Sequence, residues 1–222
     1  MDASVEWSGD SCLVFWRSAD LINWYQISVF DVRTKSGFEN TIRAWAPQVI
    51  WDSDQGQYMV YWANYLSDWS EALYYCYTSD FISFSDLQVL YDVDYDAIDA
   101  DIVKYNDTYY MFYKDESAGT VGYVTSSNLT GPYSNFINCT RTDQAVEGNF
   151  MYQLGNSGQY VLMLDEYVNG SFVFQITSDF LGYEMMDTAD YSFNGFSPRH
   201  GSVVQISNEE YETLLAAYSN ST

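Results

Sequence analysis

Positive charge is scarce in this 222-residue chain: 8 Lys and Arg stand against 31 Asp and Glu, giving a net charge of −23. Such a surface repels a phosphate backbone, which excludes nucleic acid as a partner. Anionic membranes are disfavoured for the same reason. The plain reading of the acid excess is a solvated surface that keeps the chain soluble, so any carboxylate with a further role must be argued singly. Cysteine is scarce too. Cys12, Cys76 and Cys139 are odd in number and widely spaced, with no CxxC pair, which argues against a zinc site or a disulfide framework and leaves room for one disulfide. No stretch approaches the length of a transmembrane helix. The opening Met1-Asp2-Ala3-Ser4-Val5-Glu6-Trp7 has neither the basic nor the apolar region of a secretion signal. Asn-x-Ser/Thr triplets at Asn106, Asn128, Asn138, Asn169 and Asn220 nevertheless hint at secretion, so the expectation is an extracellular protein whose signal is not in this chain. Helical patterning is nearly lacking. Only Asn208 to Tyr218 reads as a helix, with Glu209 and Glu210 near its start, where the helix dipole favours acids.

Aromatic residues, by contrast, reach 19%, with 22 Tyr and 7 Trp, and hydrophobic residues reach 47%, enough for a substantial core. Strands favour aromatic residues, and sugar sites use flat rings as stacking platforms. Both readings stay open at this point. The aromatic runs repeat. Gln57-Tyr58-Met59-Val60-Tyr61-Trp62, Thr108-Tyr109-Tyr110-Met111-Phe112-Tyr113 and Gln159-Tyr160-Val161-Leu162-Met163-Leu164 carry tyrosines at 58, 109 and 160, two equal steps of 51 residues. A β-rich run and an Asp/Asn/Gly turn precede each, which reads as a hairpin. A Ser/Asp/apolar element follows, as in Thr78-Ser79-Asp80-Phe81 and Thr177-Ser178-Asp179-Phe180, and suits a turn bonded to its own backbone. A four-stranded unit recurring near fifty residues is the sign of a propeller blade. The competing fold is a β-sandwich with coincidental spacing.

In a propeller the inner strand of each blade lines the central channel, and its first residues sit at one mouth. Taking the same position in each repeat gives Pro47, Asp99, Glu147 and His200, in steps of 52, 48 and 53. An Asp, a Glu and the sole His are thus expected at one mouth. Two facing carboxylates suit glycoside hydrolysis, because one anion raises the pKa of the other and keeps it protonated as an acid. The plainer reading makes Asp99 and Glu147 solvated turn acids and His200 a packing residue.

Trp45-Ala46-Pro47, the Ile98-Asp99 step, Val146-Glu147-Gly148 and Arg199-His200-Gly201-Ser202-Val203 together resemble the successive blade motifs of glycoside hydrolase family 43. Ser18-Ala19-Asp20-Leu21-Ile22-Asn23-Trp24, Lys114-Asp115-Glu116 and Leu129-Thr130-Gly131-Pro132-Tyr133 add to the likeness, which covers nearly the whole chain. The resemblance implies an all-β, five-bladed propeller and inverting hydrolysis of arabinose- or xylose-containing plant polysaccharides or oligosaccharides, as an α-L-arabinofuranosidase or a β-xylosidase. It implies Glu147 as general acid and Asp99 as the residue that tunes and orients it. It also implies Trp45 as a stacking face, Arg199 as a sugar contact, and His200 near the axis, where relatives hold a calcium ion or an ordered water. No cofactor is required for the chemistry. The expected partner is a cell-wall glycan, and the expected state is a monomer. The family's general base lies in an Asp-Pro-type motif of the first blade. Stepping back about fifty residues from Pro47 lands before residue 1, and neither Asp2 nor Asp10 has that context. The expectation is therefore one domain over residues 1–222 that begins inside its first blade. Gln48 and Asn149 also depart from the family pattern. Without a base, turnover would fall by roughly 10² or more. Two other classes thus stand beside the enzyme: a non-catalytic sugar-binding propeller and an interaction scaffold with no sugar affinity.

Overall fold

The structure is a computed structural model that describes residues 9–68, 70–193 and 199–218. Asp2 and the Asn220 triplet lie outside them. The described chain is a β-propeller. Its first sheet pairs β1 (Cys12–Arg17) with β2 (Tyr25–Asp31). Three four-stranded antiparallel blades follow in chain order. Blade two is β3 (Thr41–Asp52), β4 (Gln57–Leu66), β5 (Glu71–Thr78) and β6 (Gln88–Tyr91). Blade three is β7 (Ala97–Tyr105), β8 (Thr108–Asp115), β9 (Thr120–Ser126) and β10 (Ile137–Asn138). Blade four is β11 (Glu147–Gln153), β12 (Tyr160–Glu166), β13 (Ser171–Thr177) and β14 (Glu184–Met185). Residues 199–207, where the fifth blade's inner strand is expected, carry no strand assignment. The helix α1 (Asn208–Tyr218) lies where the sequence places it and buries none of its side chains.

The 51-residue repeat has a direct structural meaning. Tyr58, Tyr109 and Tyr160 pair with Trp51, Lys104 and Gln153, the same rung of the first hairpin in three successive blades. The Ser/Asp element repeats as well. One carboxylate oxygen of Asp20, Asp80 and Asp179 accepts the backbone N–H groups two and three residues on. The next residue, Leu21, Phe81 or Phe180, takes a positive φ of 60°, 56° or 62°. That left-handed turn drives the ring of Phe180 inward. It is fully buried, stacks on Tyr105 at 4.5 Å and touches Tyr110, Phe112 and Tyr160. Blades three and four are thus joined by aromatic packing. Across blades two and three, the backbone N–H of Ile102 donates to the Tyr61 hydroxyl at 3.0 Å. Much of the aromatic excess is therefore spent between blades, where flat rings fill a wedge-shaped gap at close-packed density. All three cysteines are unpaired, and burial pushes the Cys76 and Cys139 thiols up to about 12.

Candidate active site at the propeller mouth

The inner strands β3, β7 and β11 all begin with the same irregularity. Pairing with the second strand breaks after Trp45, Ile98 and Glu147, skips two residues, and resumes at Gln48, Asp101 and Phe150. The first skipped residue has a positive φ in each case: Ala46 at 47°, Asp99 at 57° and Gly148 at 53°. His200, at 44°, repeats that conformation. Bulges of this kind re-aim a strand's side chains at a functional rim. They also correct the register read from the sequence. The equivalent residues are Ala46, Asp99, Gly148 and His200, not Pro47, Asp99, Glu147 and His200. Spacing alone cannot resolve a one-residue offset where two residues bulge together.

The bulges surround a cavity of about 270 Å³ whose wall includes Ala46, Pro47, Asp99, Gly148, Asn149 and His200. Asp99, buried on blade three, accepts the N–H of Gly148 on blade four at 2.8 Å and so holds the bulge that carries Glu147. The His200 ring lies flat against Gly148, where a Cβ atom would come within 2.8 Å of it. Its Nε2 is 3.2 Å from Glu147 Oε1, and its Nδ1 is 4.0 Å from Asp99 Oδ1. Asp99, Glu147 and His200 therefore meet, as the spacing predicts, with one ligating atom from each within 4.8 Å of the others.

Three basic side chains converge on Glu147. Lys114 Nζ lies 3.1 Å from Oε2, while Arg199 and His200 share Oε1 at 3.0 and 3.2 Å. Burial alone would raise the Glu147 pKa, but the His200 hydrogen bond and the Lys114 charge outweigh it and bring it down to about 2. This reverses the sequence expectation of an acid kept protonated by Asp99: the cations sit closer than the second anion. For Asp99 itself burial dominates and raises the pKa, against the pull of His200 and the Gly148 N–H. Burial pulls the His200 pKa down, yet Glu147 and Asp99 outweigh that and raise it.

The remaining sequence candidates are placed as follows. Arg199 reaches Glu147 and is also held by Asp165, with Nε 2.7 Å from Oδ2. Trp45 pairs with Ala63 on the rung before the bulge, and the Arg43 guanidinium lies over its ring at 4.0 Å and over the Tyr65 ring at 4.1 Å. A calcium ion bound directly by His200 does not fit this arrangement. Calcium takes six to eight oxygen ligands, whereas here both oxygens of Glu147 are engaged by cations and both ring nitrogens of His200 face carboxylates. No carboxylate of the first blade lines the cavity among the described residues. Asp10 caps the turn before β1, and Asp31 binds Ser11 and Arg33.

Two residues at the site receive no site role from the sequence, although Lys114 lies in a segment that resembles the family. Lys114 and Asp165 are buried charges, each the next-to-last residue of its strand, β8 and β12. A charge following an apolar run at the same repeat position, before a closing acid, was the available signal. Glu71 is a third buried group. Burial pushes its pKa up to about 7, with Arg43 pulling the other way from 3.8 Å.

Comparison with known proteins agrees with this architecture. The chain is 26% identical over 152 residues to an α-L-arabinofuranosidase of Bifidobacterium longum subsp. longum, covering 56% of this chain and 14% of that protein. It therefore spans only a small part of that relative's length. Among solved structures it is similar to a thermostable family-43 glycoside hydrolase, with a TM-score of 0.63, 19% identity, and coverage of 79% of this chain and 64% of the other. It is also similar to an α-L-arabinofuranosidase of Podospora anserina solved in complex with cellotriose, with a TM-score of 0.57, 15% identity, and coverage of 78% and 58%. At these identities the structural likeness establishes the propeller fold. Residues 3–212 match the family model described as "Probable glycosyl hydrolase domain", a group related to glycoside hydrolase family 43. The chain belongs to that family.

Proposed function

We propose that this protein acts on arabinose- or xylose-containing glycans of plant cell walls as an inverting glycoside hydrolase, with Glu147 as general acid. The observation that carries this reading is the meeting of Asp99, Glu147, Arg199 and His200 from three blades, with Asp99 and His200 in the wall of one cavity. The nearest ligating oxygens of Asp99 and Glu147 lie within 4.8 Å. An inverting acid and base stand about 6.5–9.5 Å apart to admit water, so Asp99 suits the tuning role and not the base. Asn149 supports a polar ligand. It is buried at the cavity wall, and neither of its amide atoms has a hydrogen-bond partner among the described residues, so a sugar hydroxyl or water there meets an open donor and an open acceptor. The acid must be protonated to work. In this reading sugar binding loosens the His200 hydrogen bond and the Lys114 charge that hold Glu147 down, and the carboxyl then takes up a proton. A secreted setting belongs to the same proposal; Asn106, Asn128, Asn138 and Asn169 are all exposed.

The cation cage favours a second reading, a sugar-binding propeller without turnover, because a carboxylate held near pKa 2 is a poor proton donor at neutral pH. Nitrophenyl arabinofuranoside and xyloside assays separate the two. The expected result is hydrolysis of at least one substrate and a fall of about 10²–10⁴-fold in Glu147→Gln. Calorimetric binding of arabino- or xylo-oligosaccharides with no hydrolysis would instead establish the second reading.

A further inference from the structure

One geometric rule links the blades at the mouth. The second-strand residue opposite the last regular rung is Ala63 in blade two, Lys114 in blade three and Asp165 in blade four. The last two are buried charges, and each reaches forward to the next blade. Lys114 holds Glu147 of blade four. Asp165 holds Arg199, through Nε at 2.7 Å, and also the backbone N–H of His200 at 3.2 Å. The segment that receives Asp165 has no strand pairing of its own. Its other polar contacts include Arg199 and His200 on Glu147 and His200 Nδ1 4.0 Å from Asp99 Oδ1. We propose that Asp165 is a positioning residue, the clamp that seats the fifth-blade segment on blade four and presents Arg199 and His200 to Glu147. The assignment of Glu147 and Arg199 to sugar chemistry rests on the function proposed above; the clamp itself does not.

The burial pattern supports a clamp over a general electrostatic role. The Asp165 side chain is completely buried, while Arg199 and His200 are 50% and 40% exposed. One oxygen of Asp165 takes both hydrogen bonds, and the other has no hydrogen-bond partner among the described residues. A half-satisfied buried carboxylate is unfavourable, so its placement opposite an unpaired loop points to what it holds.

His200 is the sole histidine, so its imidazole gives one NMR titration curve, free of overlap and independent of any sugar. The groups facing it are Glu147, Asp99 and Asp165, with Lys114 and Arg199 on the same carboxylates. Asp165→Asn keeps an acceptor oxygen but loses the charge; Asp165→Ser loses both reach and charge. For a clamp, Ser lowers the measured His200 pKa at least twice as far as Asn, and the two converge once Glu147→Gln removes the group the ring is held against. Equal drops for Asn and Ser in both backgrounds would overturn the proposal in favour of a distant charge. Arg199 is half exposed and is not left buried without a partner, so both variants are expected to fold. Should Asp165→Ser fail to fold, Asp165→Thr, which restores the bulk, is read in its place. On nitrophenyl glycosides, the same clamp predicts KM raised roughly 10-fold by Ser with Asn near wild type. Lack of turnover in the wild type would count against the proposed function and leave the titration result standing.

Discussion

Gly148 sits where Asp99, Glu147 and His200 meet, at a φ of 53° that a side chain adopts only with strain and with no space for a Cβ against the His200 ring. Gly148→Ala is expected to cost about 1–3 kcal/mol, measured by urea denaturation, and to lower any sugar affinity. The carboxylates at the mouth divide by sign. Glu147, held down at about 2, contributes stability that is complete above the ordinary value of 4.5 and is lost as pH falls from there toward 2. Replacing it with Gln should flatten that acid limb of a stability-versus-pH curve. Glu71 runs the other way. Raised to about 7, it contributes fully below 4.5, and that contribution is lost as pH climbs through 7. Glu71→Gln is therefore expected to stabilise the protein at pH 8 by about 1–2 kcal/mol relative to its effect at pH 5. Equal effects at the two pH values would show that Glu71 is ionised in the folded chain. Each of these residues is visible in the sequence, but the sign of its shift depends on which neighbour lies closest. Lys114 and Glu147 are 33 residues apart in sequence, and no local pattern ranks that contact against Asp99.

Among elements, the turn that follows the third strand is the most regular. Asp20, Asp80 and Asp179 each bind the next backbone N–H groups, and the residue after each turns left-handed. The element exists to place an apolar side chain, not only to reverse the chain. Phe180→Ala should cost about 3–5 kcal/mol, well above an exposed turn substitution, with the loss read in the same denaturation experiment. The hairpins and turns were legible from the sequence because strand pairing and Asx turns are local and recur. The bulges at Ala46, Asp99 and Gly148 were not. A bulge inserts a residue without changing composition or polarity, so it shifted the inferred register by one at Pro47 and Glu147.

For the molecule as a whole, opposing surface properties meet on the first sheet. Val14, Trp16 and Val29 are 48%, 54% and 52% exposed on β1 and β2, an apolar face on a chain of net charge −23. Self-repulsion opposes association through that face at low ionic strength, and salt screens it, since the Debye length falls from about 30 Å at 0.01 M to about 10 Å at 0.1 M. Light scattering should therefore show self-association rising with salt, and Trp16→Lys should suppress the rise. Association independent of salt, or unchanged by the substitution, would place the contact elsewhere.

The repeat length, the all-β class and the identity of the converging residues were fixed by the amino-acid order alone, because blade geometry copies one local unit at a constant interval. What the interval could not convey is how side chains from adjacent blades meet. That Glu147 lies in a cage of Lys114, Arg199 and His200, that Asp99 caps the bulge beside it, and that Asp165 seats the fifth-blade segment all follow from the offset between neighbouring sheets. Electrostatic energy falls with distance through a medium of modest dielectric, so a difference of an ångström or two between blades sets the protonation of the site, and only the packed structure fixes that distance.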